Sequence, residues 1–290
     1  MNTKSRSIFQ DVITIGAMIL GSILVCACSN HSPEILVQEF QMQWTGESQV
    51  FSEDLMESEI ADTRIKHQAF AGPIQESISL SEGYVNIFIF IKGEGRLVTD
   101  TLSFHLEPES IAIPFASDNI TMEVSDGDTL HYLQFIKRLT EQDKEDMLSF
   151  QEGNKYDIFF TRFSDCEAYT EKIKSPNTIS RTVLPEDIIP RVALGTVETI
   201  GPDEVGAHEH AMLDQLFLGL TDNDVIVHAD ASSTKFMEYS LLHIPIGSSH
   251  YVKVDEHKKL YYMWMDFFLT KEGQEWLKTH KPVSTDKNDY

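Results

Sequence analysis

The chain has 290 residues, of which 41% are hydrophobic and 24% charged; it can bury one large core or two modest ones and is not compositionally disordered. Asp and Glu number 46 against 23 Lys and Arg, giving a net charge of −23 with no basic cluster beyond the N-terminal segment. Phosphate backbones and anionic lipid surfaces repel such a chain, which excludes nucleic acid as a partner and leaves the acidity as a solubilising surface.

Lys4 and Arg6 precede an apolar run from Val12 to Ala27 that ends in small residues. A membrane span needs roughly 20 apolar residues, so 1–27 reads as an export signal, with an uncleaved N-terminal anchor helix as the alternative. Its end, LVCACSN, resembles the bacterial lipobox: Val25 and Ala27 suit the positions three and one before a lipidated cysteine. The resemblance implies Cys28 as the mature, lipidated N-terminus, anchored to a bacterial membrane by its acyl chains. Cys26 fits worse, because Val25 would then sit immediately before the cleavage point. With one cysteine lost and one acylated, Cys166 has no disulfide partner and is expected to be an inert buried thiol.

Residues 28–45 read as a polar tether. Short alternating or fully apolar runs bounded by Gly, Asp, Asn and Ser follow, which predicts strands joined by turns. YVNIFIFI (84–91), SIAIPF (110–115), ITMEV (120–124) and LHYLQFI (130–136) form one series. RVALGTVETI (191–200), QLFLGL (215–220), VIVHAD (225–230), SLLHIPI (240–246), YVKV (251–254) and LYYMWMDFF (260–268) form a second. The series are related: Gly72-Pro73 and Gly201-Pro202 lie 129 apart, and the same offset sets NIFIFIKGEG against QLFLGLTDND. At an offset of 131, IPFASDN (113–119) matches IPIGSSH (244–250), so one β-rich unit is duplicated. The expected organisation is an N-terminal unit at 46–139, a connector at 140–185 and a C-terminal unit at 186–270. The connector carries a helix, TEQDKEDMLSF, and a strand, YDIFFTRF. A closing helix within 270–280, N-capped by Thr270, and a tail to 290 complete the chain.

The stretch HEHAMLDQ (208–215) carries the chemistry. On a strand, His208 and His210 project from one face, whereas on a helix they would diverge by about 200°. Two imidazoles on one face can share a metal ion. Asp214 or Gln215 lies beyond a short bend, and His250 follows the turn Pro245-Ile246-Gly247-Ser248-Ser249, which can bring it back toward the pair.

These residues resemble the two motifs of the cupin superfamily, G(X)5HXH(X)3-4E(X)6G and G(X)5PXG(X)2H(X)3N, here as GPDEVGAHEHAMLDQ and PIGSSH. The resemblance covers both halves, roughly 60–138 and 185–268, and is that of a bicupin. It implies an all-β fold of two tandem antiparallel jelly-roll barrels with a few short helices. It also implies one divalent metal, Mn, Fe, Zn or Ni, on His208, His210 and His250. The chain departs from the pattern in four places: Gly201 is displaced by one residue, Tyr239 stands for a Gly and Val254 for the Asn, and the glutamate is absent. Gln215, at the start of the next strand, is preferred as the fourth ligand, since some cupins use glutamine there; Asp214 is the alternative. Three imidazoles and an amide leave the ion's charge uncompensated and favour isomerase, lyase or hydrolase chemistry. Asp214 would bring the site closer to an oxygen-activating dioxygenase.

The first half is expected to be metal-free, because Ser79, Ser81, Asn86 and Asn119 match His208, His210, Gln215 and His250. Gly219, on the face of Gln215, matches Phe90 and predicts room beside the second site and a filled first barrel. Glu209 faces away from its flanking histidines. Glu198 and Glu238 are candidate acids or bases, neither marked out by its context, so the catalytic group is unassigned. His243 reads as a hydrogen-bonded strand residue, His228 as solvent-facing, and Tyr261, Tyr262 and Trp264 as core. The expectation is a lipid-anchored, metal-binding bicupin acting on a small polar metabolite such as a sugar or uronate derivative, compatible with a homodimer. The rivals are a non-catalytic ligand-binding lipoprotein and a structural barrel with a vestigial site.

Overall fold

The computed structural model describes residues 35–44, 48–153, 156–171 and 174–277. The expected export signal, Cys28 and the start of the tether lie outside the described residues, as does everything after 277. No helix among the described residues is long and apolar enough to cross a membrane.

The chain opens with β1 (Leu36–Glu39), β2 (Val50–Leu55), β3 (Thr63–Ala71), β4 (Ile74–Ser79), β5 (Tyr84–Lys92), β6 (Gly95–Val98) and β7 (Ser103–Leu106). It continues with β8 (Ser110–Pro114), β9 (Asn119–Val124) and β10 (Thr129–Arg138). Then come α1 (Glu141–Gly153), β11 (Ile158–Arg162), β12 (Ala168–Tyr169) and β13 (Ile179–Leu184). The second series is β14 (Val192–Ile200), β15 (Asp203–His208), β16 (Leu213–Gly219), β17 (Asp224–Ala229), β18 (Ser232–Met237), β19 (Ser240–Ile244), β20 (His250–Val254) and β21 (Lys259–Phe268). The closing helix, α2, is Lys271–Leu277. Thr140 and Asp143 cap α1 reciprocally, each side chain accepting the other's backbone N–H, and Thr270 Oγ1 accepts the Gly273 N–H at 3.3 Å as the N-cap of α2.

Each half is a pair of antiparallel sheets. The first packs the order β11-β8-β5-β10-β3-β2 against β4-β9-β6-β7, and the second β1-β19-β16-β21-β14-β13-β12 against β15-β20-β17-β18. This is the all-β architecture of two jelly rolls that the resemblance implies. The boundaries are used differently, however. The expected tether supplies β1, which pairs with β19 of the second half (Leu36↔His243), while β11 from the expected connector pairs with β8 of the first (Phe159↔Ile113). Each unit thus lends its leading strand to the other's large sheet, where β1 covers the edge of β19 and β11 that of β8 and each becomes the new edge. The rest of the connector, β12 and β13, extends the second half.

Strand parity sorts side chains into three cores. Phe70, Phe88, Phe90, Met122 and Tyr132 fill the first half; Val197, Phe217, Val227, Phe236 and Tyr262 fill the second. The opposite faces of the two large sheets share a third core, in which Ile87, Ile89, Leu133 and Phe135 meet Leu216, Leu218, Met263, Met265 and Phe267. At roughly 1.5–3 kcal/mol per fully buried large side chain, this shared layer is a major stabilising term and couples the two halves. Polar ties cross the same boundary: the Tyr261 hydroxyl donates to Glu109 Oε2 at 2.6 Å, and Arg191 forks onto both Asp143 oxygens at 2.8 and 2.6 Å.

On the outer side of the first large sheet, His67 and His131 stack with centroids 5.3 Å apart, beneath Phe40, Phe51 and Trp44. His67 Nδ1 donates to Glu53 Oε1 at 2.7 Å, leaving Nε2 to accept from His131 Nδ1 at 3.1 Å. Burial, helped by the His67 and Lys92 charges, pulls His131 down to about 4 from 6.5; burial also lowers His67 despite Glu53. Because both folded values lie below the free imidazole's, the unfolded chain takes up protons first as pH falls. Stability from this pair is therefore fully present above pH 6.5 and lost as pH falls toward 4. Urea titrations from pH 7 to 4.5 should show His131→Phe flattening the acid loss by about 1 kcal/mol per pH unit; an unchanged slope would contradict this.

Candidate metal centre

β15 ends at His208, and His210 lies just beyond the strand, so the two histidines are not alternate residues of one regular strand as the sequence suggests. The β15–β20 register shifts between Val205 and His208, pairing His208 with His250. The loop after β15 is then held by the 245–249 turn. Gly247, at φ +75°, donates its N–H to the His210 carbonyl at 3.1 Å, and Ser248 N–H closes the turn onto Pro245 O at 3.0 Å. That φ favours glycine, which explains the residue at this point. The second motif's replaced glycine has a parallel: Tyr239 sits at φ +54°, with its N–H on Gly219 O at 2.8 Å.

The result is a cluster. His208 to His250 measures 4.3 Å between ring centroids, His208 to His210 5.0 Å and His210 to His250 5.5 Å. One ligand nitrogen from each lies within 4.8 Å of the others, close enough to share a metal ion. Hydrogen bonds to backbone carbonyls fix the tautomers. His208 Nδ1 lies 2.8 Å from Gly206 O and His250 Nδ1 3.1 Å from Ser248 O. A carbonyl only accepts, so each Nδ1 carries the proton and each Nε2 presents its lone pair. Burial holds both rings below the ordinary imidazole range, His250 at about 3, where the neighbouring histidines add to the effect.

Gln215 and Asp214 part company. β16 alternates, so Gln215 and Phe217 face the interior while Asp214 and Leu216 face the shared core. Asp214 Oδ1 lies 3.6 Å from His243 Nε2, and His243 Nδ1 is 2.9 Å from Glu59 Oε2 of the first half. Asp214 therefore serves the junction between the halves and is not among the convergent ligand groups, which leaves Gln215 the better placed of the two. Gln215 is 5% exposed and donates Nε2 to Asp266 Oδ1 at 2.7 Å. Its Oε1 is buried without a hydrogen-bond partner among the described residues, and so is His250 Nε2. An orphaned buried acceptor is costly, at about 1–3 kcal/mol, unless something electropositive meets it. His250 Nε2 belongs to one of the three convergent imidazoles, and a cation held there would satisfy it; Gln215 shares the interior face of β16 with Phe217, whose ring lies 5.8 Å from that of His250.

Asp266 is the residue missed in the sequence. It is the one carboxylate of the apolar run LYYMWMDFF, and β21 sets it directly opposite Gln215. Burial pushes it up to about 7, against the Gln215 hydrogen bond, with Glu171 raising it further and Lys174 lowering it. Lys174 and Glu171, from the segment between β12 and β13, also bias His208. Lys174 Nζ is 2.5 Å from Glu171 Oε1 and 3.2 Å from Ser180 Oγ, and the segment is tied down by Ser175 and Thr178 on Asp203.

The other candidates fall away. Glu198 lies on the outer face of β14 near Arg181 and Lys259, and Glu238 accepts the Asp222 N–H. Gly219 does not open room beside the site: a Cβ there would lie 2.0 Å from Met237 O, so the glycine admits a backbone crossing. Gly195 instead makes space for Trp264, whose Cζ2 would lie 2.3 Å from an added Cβ. Phe90 is fully buried in the first half's core, as expected, while a separate cavity of about 820 Å³ is lined by Ser79, Ser81, Asn86 and the segment 54–65. Tyr261 and Tyr262 are core, as expected, and His228 stacks on Tyr251 at 4.4 Å. Cys166 is half-buried rather than buried; burial raises its thiol, which keeps it unreactive.

No family model matches the sequence, and no curated protein matches it. Solved structures do match the fold. A Pseudomonas aeruginosa protein named for induction by glyoxylate aligns with a TM-score of 0.63 at 9% identity, covering 75% of this chain and 80% of its own. The oxalate decarboxylase of Lactobacillus farciminis, solved as a formate complex, gives 0.58 at 12% identity, covering 88% and 94%. A cupin 2 conserved barrel domain protein from Leptotrichia buccalis gives 0.57 at 13%, covering 82% and 98%. At these identities the likeness establishes the fold: the chain has the two-barrel cupin architecture.

Asp266 accepts the Gln215 amide N–H and so fixes which end of that amide is left unpaired. Asp266→Asn should weaken binding of Mn or Zn by about 10–100-fold, read by competition with a chelating dye, with the far-UV spectrum unchanged; wild-type affinity in this variant would remove Asp266 from the site.

Proposed function

We propose that the second half binds one divalent metal ion on His208, His210, Gln215 and His250 and acts on a small polar metabolite bearing neighbouring oxygens, a sugar or uronate derivative or a small hydroxy acid. The observation that carries this reading is the convergence of three histidine nitrogens; the orphaned Gln215 oxygen, buried on the interior face of β16, supports its place as the fourth donor. When bound, an ion on four neutral donors keeps its full charge and supplies Lewis acidity toward a carbonyl or hydroxyl oxygen.

The protein's own residues then have distinct tasks. The Nδ1 protons on Gly206 O and Ser248 O keep two imidazoles aimed, and Gln215 is aimed by Asp266. Only Oδ1 of Asp266 is used in that bond, leaving Oδ2 to hold or deliver a proton as general acid or base. Lys174, buried on Glu171, offers an ammonium to an anionic group of the substrate. These parts suit an isomerase, lyase or hydrolase step, in which protons move and no external oxidant is required. The small-acid names of two structural relatives agree with such a substrate.

The lipobox-like sequence supports placing this activity at the bacterial envelope, held by acyl chains on Cys28. Metabolic labelling with a palmitate analogue should mark the wild type and not Cys28→Ser. The central reading is tested by elemental analysis: about one transition-metal ion per chain, reduced at least tenfold in His250→Ala. NMR turnover screens of uronates, sugars and hydroxy acids, with Asp266→Asn as control, then test catalysis. A metal-loaded protein that binds one of these compounds without converting it would instead be the non-catalytic binding protein.

A further inference from the structure

The first half repeats the geometry of the metal centre with different chemistry. Ser79 pairs with Asn119 across β4–β9 as His208 pairs with His250 across β15–β20, and Asn86 occupies the place of Gln215 on β5. No imidazole is present at these positions. Ser79 Oγ donates to Asn119 Oδ1 at 2.9 Å, and a chain of amides runs from Gln68 to Gln134 at 2.5 Å and from Gln134 to Asn86 at 2.8 Å. The cavity of about 820 Å³ opens over this network, within the roughly 300–1,000 Å³ of small-molecule sites.

Three features define what fits. Asn86 is 4% exposed and lines the cavity; the amide chain uses its Oδ1, and its Nδ2 has no acceptor among the described residues. Asp62 is answered by Arg138 at 2.5 Å and Asp54 by Lys66 at 3.8 Å, and the remaining Glu57 and Arg64 are of opposite sign, so the lining carries little net charge. Tyr84, 42% exposed at the mouth, offers an aromatic face. No imidazole or thiol lines the cavity, and its acidic Asp54, Glu57 and Asp62 stand beside Arg64 and Arg138, so neither a cation nor an anion meets a wall of one opposite sign. A molecule whose hydroxyls donate and accept, with an apolar C–H face for the ring, satisfies every group.

We propose that the first half binds a neutral polyhydroxylated small molecule of mono- or disaccharide size, directly and without a metal, through Asn86, Ser81 and Tyr84. This site is separate from the metal centre and stands whether or not the second half is catalytic. Duplication has thereby produced two binding places, one built on imidazoles and one on amides.

The test uses the full chain, saturation-transfer NMR and calorimetry, with glucose, galactose, mannose and myo-inositol as neutral probes and galacturonate and oxalate as charged ones. At least one neutral probe should bind. Asn86→Ala and Tyr84→Ala should each weaken it by about 5–10-fold, the loss of a hydrogen bond or a ring contact. Tyr84 is exposed, so its variant keeps the test informative if Asn86→Ala fails to fold. EDTA and His250→Ala should leave this binding unchanged. The proposal is overturned if no neutral probe binds at 10-millimolar-order concentrations (about −3 kcal/mol or weaker), if a charged probe binds more tightly through the same residues, or if EDTA or His250→Ala abolishes neutral-probe binding that both first-half variants retain.

Discussion

Two ring protons given to backbone carbonyls decide what the second half can do. His208 bonds Gly206 O and His250 bonds Ser248 O, each two residues back along its own chain. A ring so tethered holds its Nε2 in place, and burial keeps it uncharged, so the ligand nitrogens converge, and among the described residues no donor meets that of His250. Much of the surrounding structure serves that arrangement. The positive-φ Gly247 joins the 245–249 turn to His210, and the β15–β20 register brings His208 opposite His250. Across the interior, Asp266 takes the Gln215 amide hydrogen and turns its oxygen inward.

The duplicated scaffold makes this site affordable. Exchange of β1 and β11 and the shared apolar layer tie the halves together, so one interior can carry polar groups while the fold rests on burial elsewhere. Strand parity divides the labour on a single strand: Leu216 and Leu218 enter the shared layer, and Gln215 between the two faces enters the site. Equivalent positions in the first half carry serine and amides that satisfy one another, and there the space opens into a cavity. The same backbone thus presents either lone pairs or a hydrogen-bonding wall, according to a few side chains.

Much of this was legible in the sequence. The repeat, the main apolar strands and the spacing of His208, His210 and His250 are local patterns, and each is reproduced in the structure. Gln215 and Asp214 were separable in principle, since adjacent strand residues face opposite ways, but the choice needed the start of β16. What escaped was non-local. Nothing near Leu36 says that it pairs with His243, and Gly219 looked like empty space because the Met237 backbone that fills it is remote in sequence. Asp266 carried a readable signal, a lone acid within an apolar strand, but its meaning depends on a cross-strand register with Gln215. Lys174 came from a segment with no periodicity to mark it.

The central claim is that three imidazole nitrogens and one amide oxygen converge on a single cation. X-ray absorption at the metal edge of the purified, zinc- or manganese-loaded protein measures that directly. The account predicts a first shell of nitrogen and oxygen only, at about 2.0–2.2 Å, with the multiple-scattering signature of about three imidazoles. A shell containing sulfur, or an all-oxygen shell without imidazole scattering, would contradict it.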